Sequence, residues 1–131
     1  MRLWHYKLIP YLPNSQLVAQ WRELNSIYKK QDKHILINYI YNYDKEYLLH
    51  YSILIKNEML NRGFQIKSWK NYDAYFADTV NRETSLRYPE HDVFYLEECF
   101  YNLREKHRRG QKDFSEKTMT RLQDFFYNER S

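Results

Sequence analysis

Glycine and proline are scarce in this chain, and this scarcity constrains its fold more than any other feature. Only 2 glycines and 3 prolines occur in 131 residues. Tight hairpin turns and irregular loops depend on these residues, so their scarcity argues against a β-rich or loop-rich fold. It also excludes a glycine-rich phosphate loop and a dinucleotide-binding fingerprint. The length is that of one domain, and we expect a compact all-α domain over residues 1–131.

Apolar residues recur at helical spacing along much of the chain, which predicts amphipathic helices. Three main helices are expected, near residues 14–30, 44–62 and 89–106. A C-terminal helix is expected at about 114–128, and residues 70–81 suggest a short one. The buried faces are expected to contain Leu17, Trp21, Leu24, Tyr28, Leu48, Tyr51, Ile55, Met59, Leu96, Cys99, Leu103, Leu122, Phe125 and Phe126.

Prolines and short polar residues indicate where these helices begin and end. Pro10 and Pro13 keep an N-terminal arm, residues 1–12, out of a regular helix. Gly63 is placed to end the second helix. Residues 34–43 are expected to form a packed irregular or short helical connector. Helix starts are expected at Asn14 or Ser15, at Asp44, and at the pair Pro89–Glu90.

Composition narrows the classes of function. A net charge of +4 and a pI near 9.0 favour a polyanionic partner. The one cysteine excludes an intrachain disulfide and a cysteine zinc site. The 5 histidines show no HxxxH or HExxH spacing, so no metal and no other cofactor is expected. No signal peptide and no apolar run near the roughly 20 residues that span a bilayer is present, so a cytoplasmic protein without membrane contact is expected.

Several short motifs follow one another in a fixed order through residue 106. QLVAQWREL, residues 16–24, places Arg22 and Glu23 on the first predicted helix. The later motifs are Lys33–His34, Tyr43-Asp44-Lys45, Asn61-Arg62-Gly63-Phe64, Pro89-Glu90-His91 and Leu103-Arg104-Glu105-Lys106. Their order and spacing resemble the endonuclease V-type pyrimidine dimer DNA glycosylases, small helical enzymes known from a bacteriophage. The opening MRLWHYKLIPYLP resembles a bacterial branch of the same superfamily.

The resemblance implies imine chemistry at the N-terminus. In this family the terminal α-amine attacks the deoxyribose C1′, displaces the base and leaves an imine that eliminates the 3′ phosphate. An α-amine has a pKa of about 7.7–8.0 in model peptides, against about 10.4 for lysine, so a chain terminus is a ready nucleophile. Glu23 would stabilise the positive sugar and move protons; its alternative role is that of a solvated helix glutamate.

The chain departs from the family pattern at the nucleophile. The family's terminal residue is a threonine exposed by removal of the initiator methionine, but Arg2 follows Met1 here, so we expect Met1 to be retained. In an alignment without a gap, Arg2 takes the threonine's position and the amine lies one residue farther out. In the other alignment, a one-residue shift within the arm puts Met1 at the threonine's position. We favour the shift, because it keeps both the amine and the arginine that follows it. Loss of the lyase chemistry is the alternative.

The resemblance also implies DNA contacts by basic side chains. The candidates are Arg2, His5, Arg22, Lys106, Arg108 and Arg109. A solvated charge run is the alternative for the basic stretch, and a solvated helix face is the alternative for Arg22. A structural role is the alternative for His5 and for His91. Two family contacts are missing, because Gln16 and Ser26 stand where the phage enzyme has histidine and arginine.

Three functions compete at this stage. The first is a monomeric glycosylase, with or without AP lyase activity, that excises a cyclobutane dimer or another modified base from double-stranded DNA. The second is a non-catalytic DNA-binding protein on the same scaffold. The third is a small helical protein that binds protein partners through its aromatic surface. The favoured explanation of most of the 14 tyrosines is an AT-rich genome.

Overall fold

The computed structural model describes residues 1–81 and 85–130, and within these ranges every regular element is helical. The five α-helices are α1 Asn14–Lys30, α2 Lys45–Asn61, α3 Lys70–Tyr75, α4 Val93–Arg108 and α5 Glu116–Arg130. Two 3-10 helices, Tyr6–Tyr11 and Asn38–Asn42, lie in the arm and in the connector. The predicted all-α fold is therefore confirmed, and the predicted bounds of the first helix agree with α1.

The N-terminal arm is part of the core rather than an appendage. Helix α1 packs against α2 and α3, while α4 packs against α5. The 3-10 helix of the arm contacts α2, α4 and α5 and so joins the two groups. Leu3, Leu8, Ile9 and Leu12 of the arm are at most 2% exposed. Burying an aliphatic side chain of this size contributes about 1.5–3 kcal/mol, so these residues fix the start of the chain against the helices.

The predicted buried faces agree with the structure. The stripes expected on α1, α2 and α4 are all buried, as are Leu122 and Phe126 of α5. Phe125 is only partly buried and packs at the edge of the core. The connector also contributes, since Ile37 and Ile40 are buried. The helical period of the sequence thus located the core because these helices are amphipathic.

The predicted helix starts are less accurate. Neither Asn14 nor Ser15 caps α1 with its side chain; Pro13 occupies the N-cap position. Instead the Asp113 carboxylate, from before α5, accepts hydrogen bonds from the backbone N–H and the hydroxyl of Ser15. A cap supplied from the far end of the chain is a tertiary contact, which local sequence does not reveal.

The other two starts also differ from expectation. Asp44 occupies the N-cap position of α2, but its side chain makes no capping hydrogen bond. Helix α4 begins at Val93 rather than at Pro89–Glu90, which form a turn. Asp92 is its cap, because its Oδ1 accepts from the Tyr95 N–H at 2.9 Å.

The end of α2 follows the prediction. Gly63 has a φ of +87°, a left-handed conformation that glycine adopts without steric cost. Its N–H donates to the Leu60 carbonyl and the Phe64 N–H donates to the Met59 carbonyl, both at 3.0 Å. This pair of bonds is the Schellman motif and satisfies two terminal carbonyls.

Candidate active site

A pocket of about 230 Å³ opens where the start of the chain crosses α1 and α4. The arm, α1, the connector and α4 all contribute to it. Its walls are formed by Met1, Arg2, Trp4, Gln16, Ala19, Glu23, Leu36, Asn102 and Lys106. The structure therefore brings the first residue and Glu23 into one pocket, together with two of the predicted basic residues.

Gln20, which sequence reasoning missed, ties the arm to α1 and to Glu23. Its side chain is fully buried. Its Oε1 accepts from the Trp4 N–H at 2.9 Å and lies 2.8 Å from the Tyr51 hydroxyl. Its Nε2 donates to the Arg2 carbonyl and to Glu23 Oε2, both at 3.0 Å. One amide thus fixes the backbone beside Met1 and orients the carboxylate. The available signal was a glutamine three residues before a glutamate on one helix face.

The Glu23 carboxyl is half-buried beside several positive charges. Burial raises its pKa above the usual value for glutamate, because it disfavours the charged form. Three positive charges oppose this rise in pKa: the α-amino group has the largest effect, Arg22 the next largest and Lys106 the smallest. A carboxyl with a raised pKa exchanges protons closer to neutral pH, which suits a group that must both take up and release them.

Arg2 is held in the pocket wall by aromatic contacts. Its Cζ lies 5.9 Å from the ring centroids of Trp4 and Tyr95, within the range of cation–π attraction. Its Nη1 lies 4.0 Å from the Cys99 Sγ. The Arg2 carbonyl is bound by Gln20 at the same time, so both its backbone and its side chain are anchored.

The remaining predicted DNA contacts separate into two groups. Lys106 lines the pocket, and Arg22 is exposed on α1, close enough for its charge to act on Glu23. Arg108 and Arg109 instead line a separate depression on another face of α4. Arg109 also donates to Glu105 at 2.9 Å. The basic stretch therefore does not act as one cluster at the pocket.

His5 is buried in this structure. It is 2% exposed and does not line the pocket, so its predicted contact with DNA finds no support in this geometry. Its Nδ1 accepts from the Lys7 N–H at 3.1 Å and caps the 3-10 helix of the arm. Burial lowers its pKa to about 4, which keeps it neutral at physiological pH.

His91 is likewise structural. Its Nδ1 accepts from the Tyr6 N–H at 3.2 Å, and its Nε2 lies 2.7 Å from the Tyr39 hydroxyl. Burial lowers its pKa to about 3. This histidine joins the turn before α4 to the arm and to the connector, and it does not line the pocket.

The two residues that replace family contacts also have partners here. Gln16 lines the pocket and donates to Gln111 Oε1 at 2.9 Å. Ser26 lies outside it and donates to Asp32 at 2.7 Å. Both positions therefore carry neutral side chains that form hydrogen bonds within the protein.

In residues 1–81 and 85–130, no group of three or more histidine, cysteine, aspartate and glutamate side chains is arranged to hold a metal ion. No helix in the same ranges is long and apolar enough to cross a bilayer.

Comparison with known proteins places this chain in a family. A family model described as pyrimidine dimer DNA glycosylase matches residues 1–71, which include Met1, Gln20 and Glu23. No curated protein and no solved structure gives a significant match. Members of this family are DNA repair glycosylases, and the activity implies DNA binding. Since the match covers more than half of the sequence, the chain belongs to the pyrimidine dimer DNA glycosylase family.

Proposed function

We propose that this protein excises a damaged pyrimidine from duplex DNA by attacking C1′ with the α-amine of Met1. One observation carries the proposal: Met1 and Glu23 line the same pocket. The α-amino charge also acts on the Glu23 carboxyl more strongly than Arg22 or Lys106 does. An amine and a carboxyl in one pocket are the groups that imine chemistry on a sugar requires.

The proposed reaction begins with the neutral amine. Its lone pair forms a bond to C1′ while the glycosidic bond breaks, and the base leaves with that electron pair and gains a proton. The attacking nitrogen loses one proton to Glu23, and Glu23 passes this proton to O4′ as the C1′–O4′ bond breaks, which leaves a protonated imine on the open-chain sugar. Loss of a proton from C2′ then expels the 3′ phosphate, and water hydrolyses the imine to regenerate the amine. Glu23 stabilises the positive sugar and iminium and moves protons in each step.

The geometry of the arm supports the register in which Met1 supplies the amine. Gln20 binds the Arg2 carbonyl and the Glu23 carboxylate with one amide nitrogen. Met1 therefore lies one residue beyond a fixed point beside the carboxylate. Arg2 occupies the position next to the nucleophile, as the family's arginine does, and its guanidinium is held by Trp4 and Tyr95.

The surroundings of the pocket suit DNA. Arg2 and Lys106 in its walls and Arg22 nearby provide positive charge for phosphates on either side of an extruded nucleotide. Extrusion is expected, because C1′ is poorly accessible inside a stacked duplex. Arg108 and Arg109, on another face of α4, are proposed to contact the backbone farther from the lesion.

Borohydride trapping tests this mechanism. The protein is incubated with duplexes that carry a cyclobutane dimer, an abasic site or a modified base, and sodium borohydride reduces any imine to a stable amine. We expect a covalent protein–DNA product, with the linkage on the N-terminal peptide by mass spectrometry. Intact mass of the free protein checks that Met1 is its first residue.

Variants separate the roles of the groups. Glu23→Gln should keep DNA binding and lose most of the trapping, because it keeps the shape and removes the charge. Glu98→Gln, at an exposed position on α4, is the matched control and should change neither. Full activity after both Glu23→Gln and methylation of the terminus would refute the mechanism. Binding of lesion DNA without any trapping would favour the non-catalytic alternative.

A further inference from the structure

Two exposed aliphatic side chains stand at the rim of the candidate active site. Ile35 is 79% exposed and Leu36 is 43% exposed. Leu36 also lines the pocket that contains Met1 and Glu23. We propose that Ile35 and Leu36 form an apolar wedge, which enters the base stack beside the lesion and fills the space that the extruded nucleotide leaves. This inference rests on the proposed function, because it needs DNA in the pocket.

The turn that carries the wedge is braced from several sides. The N–H groups of Ile37 and Asn38 both donate to the His34 carbonyl at 2.9 Å. The Leu36 N–H donates to the His34 Nδ1 at 3.2 Å. Ile37 is fully buried and anchors the turn in the core. The backbone thus holds Ile35 and Leu36 outward, and a side chain that separates stacked bases needs such a stiff support.

The start of the connector is also fixed. The Asp32 carboxylate accepts from the Ser26 hydroxyl at 2.7 Å, and the Asp32 carbonyl accepts from the Tyr41 hydroxyl. Ser26 thereby ties the segment just before the connector to α1. The residue that replaces a family DNA contact is consequently used to brace the turn that carries the wedge.

The charge around the wedge identifies its partner as duplex DNA. Lys33 is exposed two residues before Ile35, and Lys106 and Arg2 line the pocket beside Leu36. Aliphatic side chains between cations match a base stack, whose interior is apolar and whose edges are phosphates. Proteins that kink or open DNA insert leucine and isoleucine between base steps in this way.

The wedge supplies something that the pocket residues do not. Extruding a nucleotide breaks its stacking and pairing and leaves a gap that water or a returning base would fill. A side chain in the gap replaces the lost stacking with buried apolar surface, which keeps the nucleotide outside during the reaction. Ile35 and Leu36 are therefore positioning residues, and the groups that react are those of Met1 and Glu23.

The test compares duplex and single-stranded substrates. The double variant Ile35→Ser/Leu36→Ala should lose about tenfold or more of the trapping rate on a duplex that contains a dimer, as expected for losing one buried aliphatic contact. Ile35→Ser alone, at a position that does not line the pocket, should also be slower on the duplex but keep the wild-type rate on a single-stranded oligonucleotide with an abasic site, because no stack has to be opened there. Leu60→Ala on α2, where Leu60 is 48% exposed and outside the pocket, is the matched control and should behave as wild type.

A fluorescence measurement tests the wedge without chemistry. The base 2-aminopurine, placed beside a non-cleavable abasic analogue in a duplex, brightens when it loses its stacking. Binding of the wild-type protein should increase the emission of 2-aminopurine, and binding of the double variant should not. No increase in emission with wild type, or an equal increase with wild type and the double variant, would overturn the wedge. Equal losses of trapping rate by Ile35→Ser on the duplex and on the single strand would also overturn it. Absence of trapping by wild type would overturn the proposed function instead, and this measurement would still test the wedge.

Discussion

The substitution Gln20→Met is the sharpest test of how the structure holds the site together. It keeps the length of the side chain and removes every hydrogen bond of the amide. The Trp4 N–H and the Arg2 carbonyl then lose their partner inside the protein. An unsatisfied buried polar group costs about 1–3 kcal/mol, so the free energy of unfolding should fall by about 2–5 kcal/mol. That is a large part of the roughly 5–15 kcal/mol typical of a domain.

Urea unfolding followed by circular dichroism measures this loss. Gln16→Met, one turn earlier on the same helix, is the control, since Gln16 is only partly buried and donates one hydrogen bond to Gln111. It should cost less than about 1 kcal/mol. Borohydride trapping by Gln20→Met should also fall under conditions in which the variant is folded, because Glu23 loses its orienting bond. A free energy of unfolding within about 0.5 kcal/mol of wild type would refute the role assigned to Gln20.

Three further predictions concern charge and reach. Lys106→Ala removes a cation that lowers the pKa of Glu23, so this pKa should rise further. The acid limb of the pH profile of kcat/KM should then move to higher pH, and an unmoved limb would contradict the proposed proton transfer. When two glycines are inserted after Met1 and the methionine is removed, the chain is one residue longer and its amine lies about 3.5 Å farther out, so trapping should be lost. With one inserted glycine, removal of the methionine restores the original length, and trapping should be retained. Burial lowers the pKa of His5 from 6.5 to about 4 and that of His91 to about 3. As the pH falls below 6.5, both histidines therefore bind protons in the unfolded chain but not in the folded protein, which favours unfolding. Urea midpoints should therefore decrease steadily from pH 7 to pH 4, and His91→Gln should flatten this dependence unless the histidines titrate normally in the folded state.

Much of the fold followed from the sequence because helix faces repeat locally. Leu17, Trp21, Leu24 and Tyr28 recur every three or four residues, and all four are buried on α1. Helix starts were harder to predict. The carboxylate that binds Ser15 comes from Asp113, which is distant in sequence and adjacent only after folding.

The candidate site was predictable only in part, for the same reason. The resemblance pointed to Met1 and Glu23, and the fold places them in one pocket. His5 was suggested by its place in the sequence near Met1, and the structure buries it. Gln20 was missed, since a glutamine on a helix is usually solvated and nothing local indicates that the arm covers it. Its importance arises from backbone groups of the arm that would otherwise be buried without partners.

The second half of the chain forms part of the pocket that contains Met1 and Glu23, whereas the family match covers residues 1–71 alone. The match ends at residue 71, whereas Asn102 and Lys106 of α4 form one wall of the pocket. The Tyr95 hydroxyl donates to the Leu3 carbonyl, and His91 accepts from the Tyr6 N–H, so residues near the start of α4 also hold the arm. The position of the α-amine therefore depends on contacts from both halves. The α-amine that we propose as the nucleophile lies at a chain terminus and has no helix of its own, and the fold fixes its position by burying the residues that follow it.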